Sequence, residues 1–147
     1  MSAMKELQTD YPVPEVDHIN RPYWDGLKEG KLFYQACACG HHWLPPRALC
    51  PQCLGTEWQW KMACGQAELI SWVVYHVAYH PAFKDKVPYN VAIVALDEGP
   101  RLMTNILDDS EHLSIGAKVS LLVDTTLAVP LAQFQLVKNT GGTYEVL

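Results

Sequence analysis

Four cysteines within seventeen residues constrain this chain most: Cys37, Cys39, Cys50 and Cys53 form two pairs with ten residues between them. A segment this short cannot bury enough apolar surface to fold by itself. Four thiolates gathered across a hairpin can hold one ion, and binding that ion contributes folding energy. Zinc suits such a set, accepting tetrahedral sulfur coordination at about 2.3 Å without redox chemistry of its own. The second pair, Cys50-Pro51-Gln52-Cys53 followed by Leu54-Gly55, has the usual two-residue knuckle spacing. The first has only Ala38 between its cysteines, so its turn must differ. Three readings stay open: a tetrathiolate site, a site in which His41 or His42 replaces one thiolate, and a metal-free cluster of cysteines packed as small apolar groups. Clustering of four of the five cysteines favours a metal clip in a reducing compartment over a disulfide framework. Cys64 stands apart beside an expected strand and reads as a packing residue.

Composition narrows the function classes. The chain has 147 residues, 49% apolar and 18% charged, enough for one domain or two very small ones. The net charge is -5 and the basic residues are scattered, so no stripe of cations exists to replace phosphate counterions. Nucleic acid is therefore not the expected partner. No apolar run approaches the roughly 18 to 20 residues that span a bilayer, and residues 1–10 lack the basic-then-apolar pattern of a secretory signal. A soluble, cytoplasmic protein is expected.

Along the chain, the first twenty residues predict an extended arm. Pro22, Tyr23, Trp24 and Leu27 predict a short helix over 22–29, ended by Gly30, and 31–35 predicts a short strand into the cysteines. From Trp58 onward the pattern is of strands. Runs rich in β-branched and aromatic residues occupy 69–76, 89–96, 101–107, 118–123 and 132–137. Asp97-Glu98-Gly99-Pro100 and Ile115-Gly116-Ala117 are turns between them. Five strands without a long helix favour a small Greek-key barrel of OB type, which removes most sheet edges. Pattern alone leaves an SH3-like barrel and an open sandwich open.

A family resemblance runs through several separate motifs. Trp24, Gly26, Gly30-Lys31-Leu32 and Gln35 come first, then Cys39-Gly40 and Leu44-Pro45-Pro46-Arg47-Ala48-Leu49-Cys50-Pro51-Gln52-Cys53. His80-Pro81-Ala82-Phe83, Val87-Pro88-Tyr89 and the stretch from Leu96 to Asn105 follow. Together, over about residues 20–138, they resemble the acyl-CoA-associated proteins of domain of unknown function 35. That resemblance implies a mainly β chain with an N-terminal helical arm (1–33), a rubredoxin-like zinc ribbon (34–57) and a five-stranded OB-fold barrel (58–147). It also implies a non-catalytic partner of thiolase-superfamily enzymes: lipid-transfer-protein-like aldolases of steroid side-chain degradation, thiolases or acyltransferases. The family's first knuckle reads Cys-x-x-Cys-Gly. Here Ala36 stands where its first cysteine would be, and Cys37 comes one place late.

The residues agree that the chain is short of catalytic equipment. They show no carboxylate–histidine cluster, no glycine-rich phosphate loop and no Gly-x-Ser-x-Gly elbow. Asp97, Glu98, Asp108, Asp109 and Glu111 read as turn and surface charges. Aromatics and prolines do crowd one strand-loop-strand passage, and Tyr79, His80, Phe83 and Tyr89 are candidate contacts for a partner or an acyl-CoA. A competing reading has Phe83 and Tyr89 capping the barrel mouth. Arg47 is a candidate contact for a CoA phosphate or a partner carboxylate, against a role packed between ribbon and barrel. The expected metal set is Cys37, Cys39, Cys50 and Cys53 with structural zinc, and a coenzyme A thioester is the expected substrate of a hetero-oligomeric complex. The alternatives are a stand-alone acyl-CoA-binding module, a single-strand nucleic-acid binder and a small enzyme in its own right.

Overall fold

The computed structural model describes residues 13–137. The expected arm therefore lies largely outside the described residues, as do the last ten residues of the expected barrel segment. The helix appears as α1 (Arg21–Lys28), with Pro22 in its first turn, where a missing N–H costs nothing. Tyr23, Gly26 and Leu27 are buried. Gly30, at φ +77°, ends it: its N–H donates to the Leu27 carbonyl at 3.0 Å and the Lys31 N–H to Gly26 at 2.9 Å, which satisfies two end carbonyls. Gly26 has a steric reason to lack a side chain, because a Cβ there would overlap the Phe33 ring.

Next comes a three-stranded antiparallel sheet with β1 (Phe33–Cys37) at its centre, flanked by β2 (His42–Trp43) and β3 (Trp58–Met62). β1 begins two residues later than the expected strand: the Lys31 N–H still bonds the helix at Gly26, while the Leu32 carbonyl accepts the Ala63 N–H just beyond β3. β3 was expected to open the barrel. Its hydrogen bonds run instead to β1, from Phe33 opposite Met62 to Cys37 opposite Trp58. Gly65, at φ +90°, then redirects the chain. The expected boundary at 57/58 falls immediately before this ribbon strand.

The barrel strands are β4 (Gln66–Tyr75), β5 (Tyr89–Leu96), β6 (Arg101–Thr104), β7 (Lys118–Leu122) and β8 (Gln133–Leu136), in spatial order β6-β5-β4-β7-β8. Closure comes from a parallel bridge between Ile106 and Phe134: the Leu107 N–H donates to the Phe134 carbonyl at 2.8 Å and the Phe134 N–H to Asn105 at 3.1 Å. The expected strand over 101–107 is thus divided. Its first four residues pair with β5 and its last three swing across to β8. Buried Asn90 holds the swing, accepting the Ile106 N–H and donating to the Ile106 carbonyl, both at 2.8 Å. A side-chain amide replaces the strand neighbour that is lost there.

A bulge in β4 between Leu69 and Ser71 reverses which residues point inward. Ala67 and Leu69 face the core before it and Trp72 after it. One continuous cluster joins Tyr23 and Leu27 of the helix, Leu32, Tyr34 and Leu44 of the ribbon, and Leu69, Val94, Val119 and Phe134 of the barrel. Arm, ribbon and barrel share this core. Among the described residues no helix is long and apolar enough to cross a membrane.

Candidate functional site

The four expected ligands come together. The sulfurs of Cys37, Cys39, Cys50 and Cys53 all lie within 4.8 Å of one another, with Cys37–Cys53 at 3.6 Å and Cys39–Cys50 at 3.8 Å. A tetrahedral ion with sulfurs at about 2.3 Å requires sulfur–sulfur edges of about 3.8 Å, which the Cys37–Cys53 and Cys39–Cys50 edges match, so the cage suits zinc. Backbone turns supply amide donors. In the second knuckle the Cys53 N–H reaches Cys50 Sγ at 3.5 Å and the Gly55 N–H reaches Cys53 Sγ at 3.4 Å. Leu54, at φ +61°, makes the turn between them.

The shortened first knuckle reaches the same end by another route. Cys37 closes β1, its N–H bonded to the His41 carbonyl at 2.9 Å, and Gly40 turns the chain at φ +97°. The amides of Cys39 and His41 favour thiolates at Cys37 and Cys39 respectively, but burial and the neighbouring thiols leave both groups raised. Burial opposes a thiolate at Cys50, but the amides of Cys53 and Gln52, with the Cys53 and Cys39 thiols, outweigh it and bring Cys50 down to about 7. Trp43 and Trp58 pack beside Cys37 and Cys50 and form the ribbon's small core.

Neither histidine joins the cage. His41 stacks on Trp43 with ring centres 5.9 Å apart, and His42 Nδ1 donates to the Glu98 carbonyl at 2.7 Å. That bond ties ribbon to barrel. A second tie comes from the Glu98 carboxylate, whose Oε2 accepts the Cys64 N–H at 2.7 Å. Glu98, expected as a plain turn charge, is therefore the clasp between the two parts, a role that sequence did not signal. Cys64 is exposed rather than packed. Its thiol is pushed up: the Gln66 amide favours the thiolate, but burial and the carboxylates of Glu98 and Asp97 outweigh it. A protonated thiol facing two acids is a poor nucleophile.

The aromatic candidates form one chain of ring contacts at the far end of the β4–β5 hairpin. His80 meets Phe83 at 5.8 Å, Phe83 meets Tyr89 at 5.7 Å, Tyr89 stacks on Tyr75 at 5.4 Å, and Tyr75 meets Tyr79 at 6.0 Å. Phe83 and Tyr89 are half-buried against these neighbours and stand outside the barrel's core cluster, whereas Tyr79 is 80% exposed. Tyr75 completes the set. Arg47 lies elsewhere, on the ribbon, where its backbone is held by Gln35 and its side chain is exposed without an ion pair among the described residues. The ribbon meets the barrel at the Ala67–Leu96 end of the hairpin, eight residues or roughly 26 Å of strand from Tyr75.

Comparison with known proteins assigns both halves. Residues 24–59 match the ChsH2 rubredoxin-like zinc ribbon domain and residues 60–124 the ChsH2 C-terminal OB-fold domain. The chain belongs to the ChsH2 (DUF35) family. A solved Ltp2-ChsH2(DUF35) aldolase contains a similar chain at 32% identity and a TM-score of 0.73, covering 84% of this chain and 98% of that one. A probable enoyl-CoA hydratase alpha subunit of Thermomonospora curvata is 36% identical over 112 residues, which is 75% of this chain and 34% of the relative. A DUF35 domain-containing scaffold protein of Methanocaldococcus jannaschii is 35% identical over 83 residues, 55% of this chain and 58% of the relative. The chain thus spans about a third of the hydratase subunit and under two-thirds of the scaffold protein. As a zinc-ribbon and OB-fold DUF35 protein, it has four cysteines placed for a metal ion.

Proposed function

We propose that this DUF35 chain is a non-catalytic accessory subunit that binds and completes a thiolase-superfamily enzyme acting on acyl-CoA thioesters. The aldolase type, in steroid or lipid side-chain degradation, is favoured, and the complex is a cytoplasmic hetero-oligomer. The observation that carries this reading is the likeness, over 98% of its length, to a protein solved within an Ltp2 aldolase. The chemistry of the ribbon supports it. Four thiolates fill the coordination of a tetrahedral zinc ion, so the metal would brace Cys37, Cys39, Cys50 and Cys53 and leave no position for a reacting water. The exposed thiol outside the cage, Cys64, is held in its unreactive form.

In this reading Tyr79, His80, Phe83 and Tyr89 contact the partner or its acyl-CoA, and Arg47 meets a CoA phosphate or a partner carboxylate. Co-expression with the Ltp2-type aldolase subunit, followed by size-exclusion chromatography, should give one hetero-oligomeric peak whose aldolase activity exceeds that of the partner alone. Separate elution with a fully active partner overturns the reading, as does turnover of a thioester by the purified chain.

A further inference from the structure

The outer side of the barrel carries a feature that neither metal nor core explains. Across β4, β5 and β6 the strand register sets Ser71 beside Ile93 and Met103, Val73 beside Val91, and Tyr75 beside Tyr89. Between these rows, Trp72, Ala92 and Thr104 face inward. The outward rows hold no charged residue, and Glu68 and Arg101 appear only in the next row, on either side of Ala95. Alternation in a barrel with one wet face should put polar residues here. Instead Met103 is 69% and Val73 55% exposed, and the loop beyond β4 adds Val77 at 60% and Tyr79 at 80%.

With about 200 Å² for a wholly exposed large side chain, these four and their half-buried neighbours offer on the order of 600 Å² of largely apolar surface. A monomer's largest patch is about 300–600 Å², and each side of a stable heterocomplex contributes roughly 800 Å². Obligate homodimers bury more, upward of about 1,000 Å² a side, and two copies would each bring a net charge of -5. Area and charge both favour a different, non-acidic partner over a second copy. The anatomy also fits, since an apolar, aromatic centre with a charged rim is how such interfaces are built. In barrels of OB type the second and third strands, here β5 and β6, and the loop between the first two strands carry ligands.

We propose that the outer face of β4, β5 and β6, extended by residues 76–83, is the seat of the enzyme subunit, and that the partner covers it with an uncharged apolar surface. The proposal rests on the accessory-subunit reading and adds the side from which the partner binds. Val73, Val91, Ile93 and Met103 form its centre, and the ring chain from Tyr75 to His80 forms one end.

The test is binding of the co-expressed Ltp2-type aldolase subunit to wild-type chain, to Val73→Glu and Met103→Glu, and to Ile115→Glu, which alters a 71% exposed residue in the turn before β7. Both face variants should weaken binding at least 100-fold while keeping wild-type zinc content and melting behaviour, and Ile115→Glu should bind as wild type. Hydrogen exchange on the wild-type complex should show new protection over 71–75, 89–93 and 101–104, a readout that needs no variant. Wild-type affinity in both face variants, or protection confined to other strands, overturns the assigned face and leaves the accessory reading standing. Failure of the wild-type chain to bind removes both. A wild-type homodimer that Met103→Glu dissociates would make a second copy the occupant and also overturns the proposal.

Discussion

Gln35 and Arg47 pair as if they were neighbours in a sheet. The Gln35 Nε2 donates to the Arg47 carbonyl at 2.8 Å, and the Arg47 N–H donates to Gln35 Oε1 at 2.7 Å. Gln35 is wholly buried in the central ribbon strand, and the loop it holds begins with Pro45 and Pro46, which have no N–H to offer a strand. The side chain therefore does what a strand cannot, fixing the approach to Cys50. Gln35→Leu leaves the Arg47 backbone groups without these partners at about 1–3 kcal/mol each. Urea unfolding should show a loss of roughly 2–6 kcal/mol, and zinc should be released at lower denaturant than in the wild type.

Metal content follows from the cage. Purified chain should carry one zinc ion, Cys50→Ser should lose it and unfold the ribbon, and Cys64→Ser should retain it, because Cys64 lies outside the four-sulfur group. Elemental analysis with circular dichroism reads both. Retention of the metal by Cys50→Ser would sink the tetrathiolate assignment.

Helix docking depends on an absent side chain. At Gly26 a Cβ would overlap the Phe33 ring, so Gly26→Ala must push that ring aside or shift α1 away from β1. The expected loss is about 1–3 kcal/mol in spite of alanine's better helix propensity. Phe33→Ala in the same chain should recover part of it, measured as a double-mutant cycle.

Tyr23 sets an alkaline limit. Burial pushes its phenol up from 10.0 to about 12. The phenol is uncharged when protonated, so the unfolded chain releases this proton first as pH rises. Stability from the buried group is whole below about pH 10 and falls by roughly 3 kcal/mol on the way to about pH 12. Chemical unfolding at pH 9 and pH 11.5 should show this decline in wild type and a shallower one in Tyr23→Phe.

Much of the site was readable before folding because its chemistry is carried by residue type and spacing. Cysteine pairs announce a metal cage whatever the turn between them. The one-residue first pair was the departure, and β1 accommodates it by ending on Cys37 while Gly40 makes the turn. Gly30 and the Asp97–Pro100 turn were legible for the same reason, since few residues serve those backbone shapes. Glu98 was not. Its value lies in reaching Cys64 and His42, which are 34 and 56 residues away in sequence.

Residue order alone marked the four clustered cysteines, the strand-rich second half and the helix with its glycine stop, because these depend on local geometry and on which atoms can bind what. Tertiary structure alone decided that β3 belongs to the ribbon, that 105–107 leaves β5 to close the barrel on β8, and that the bulge in β4 turns Val73 outward and Trp72 inward. Each is a choice of partner or of face. A strand's pattern is compatible with several partners, and one extra residue exchanges its two faces. Only assembly of the whole chain selects among them, and that selection is what leaves an apolar surface on the outside of the barrel.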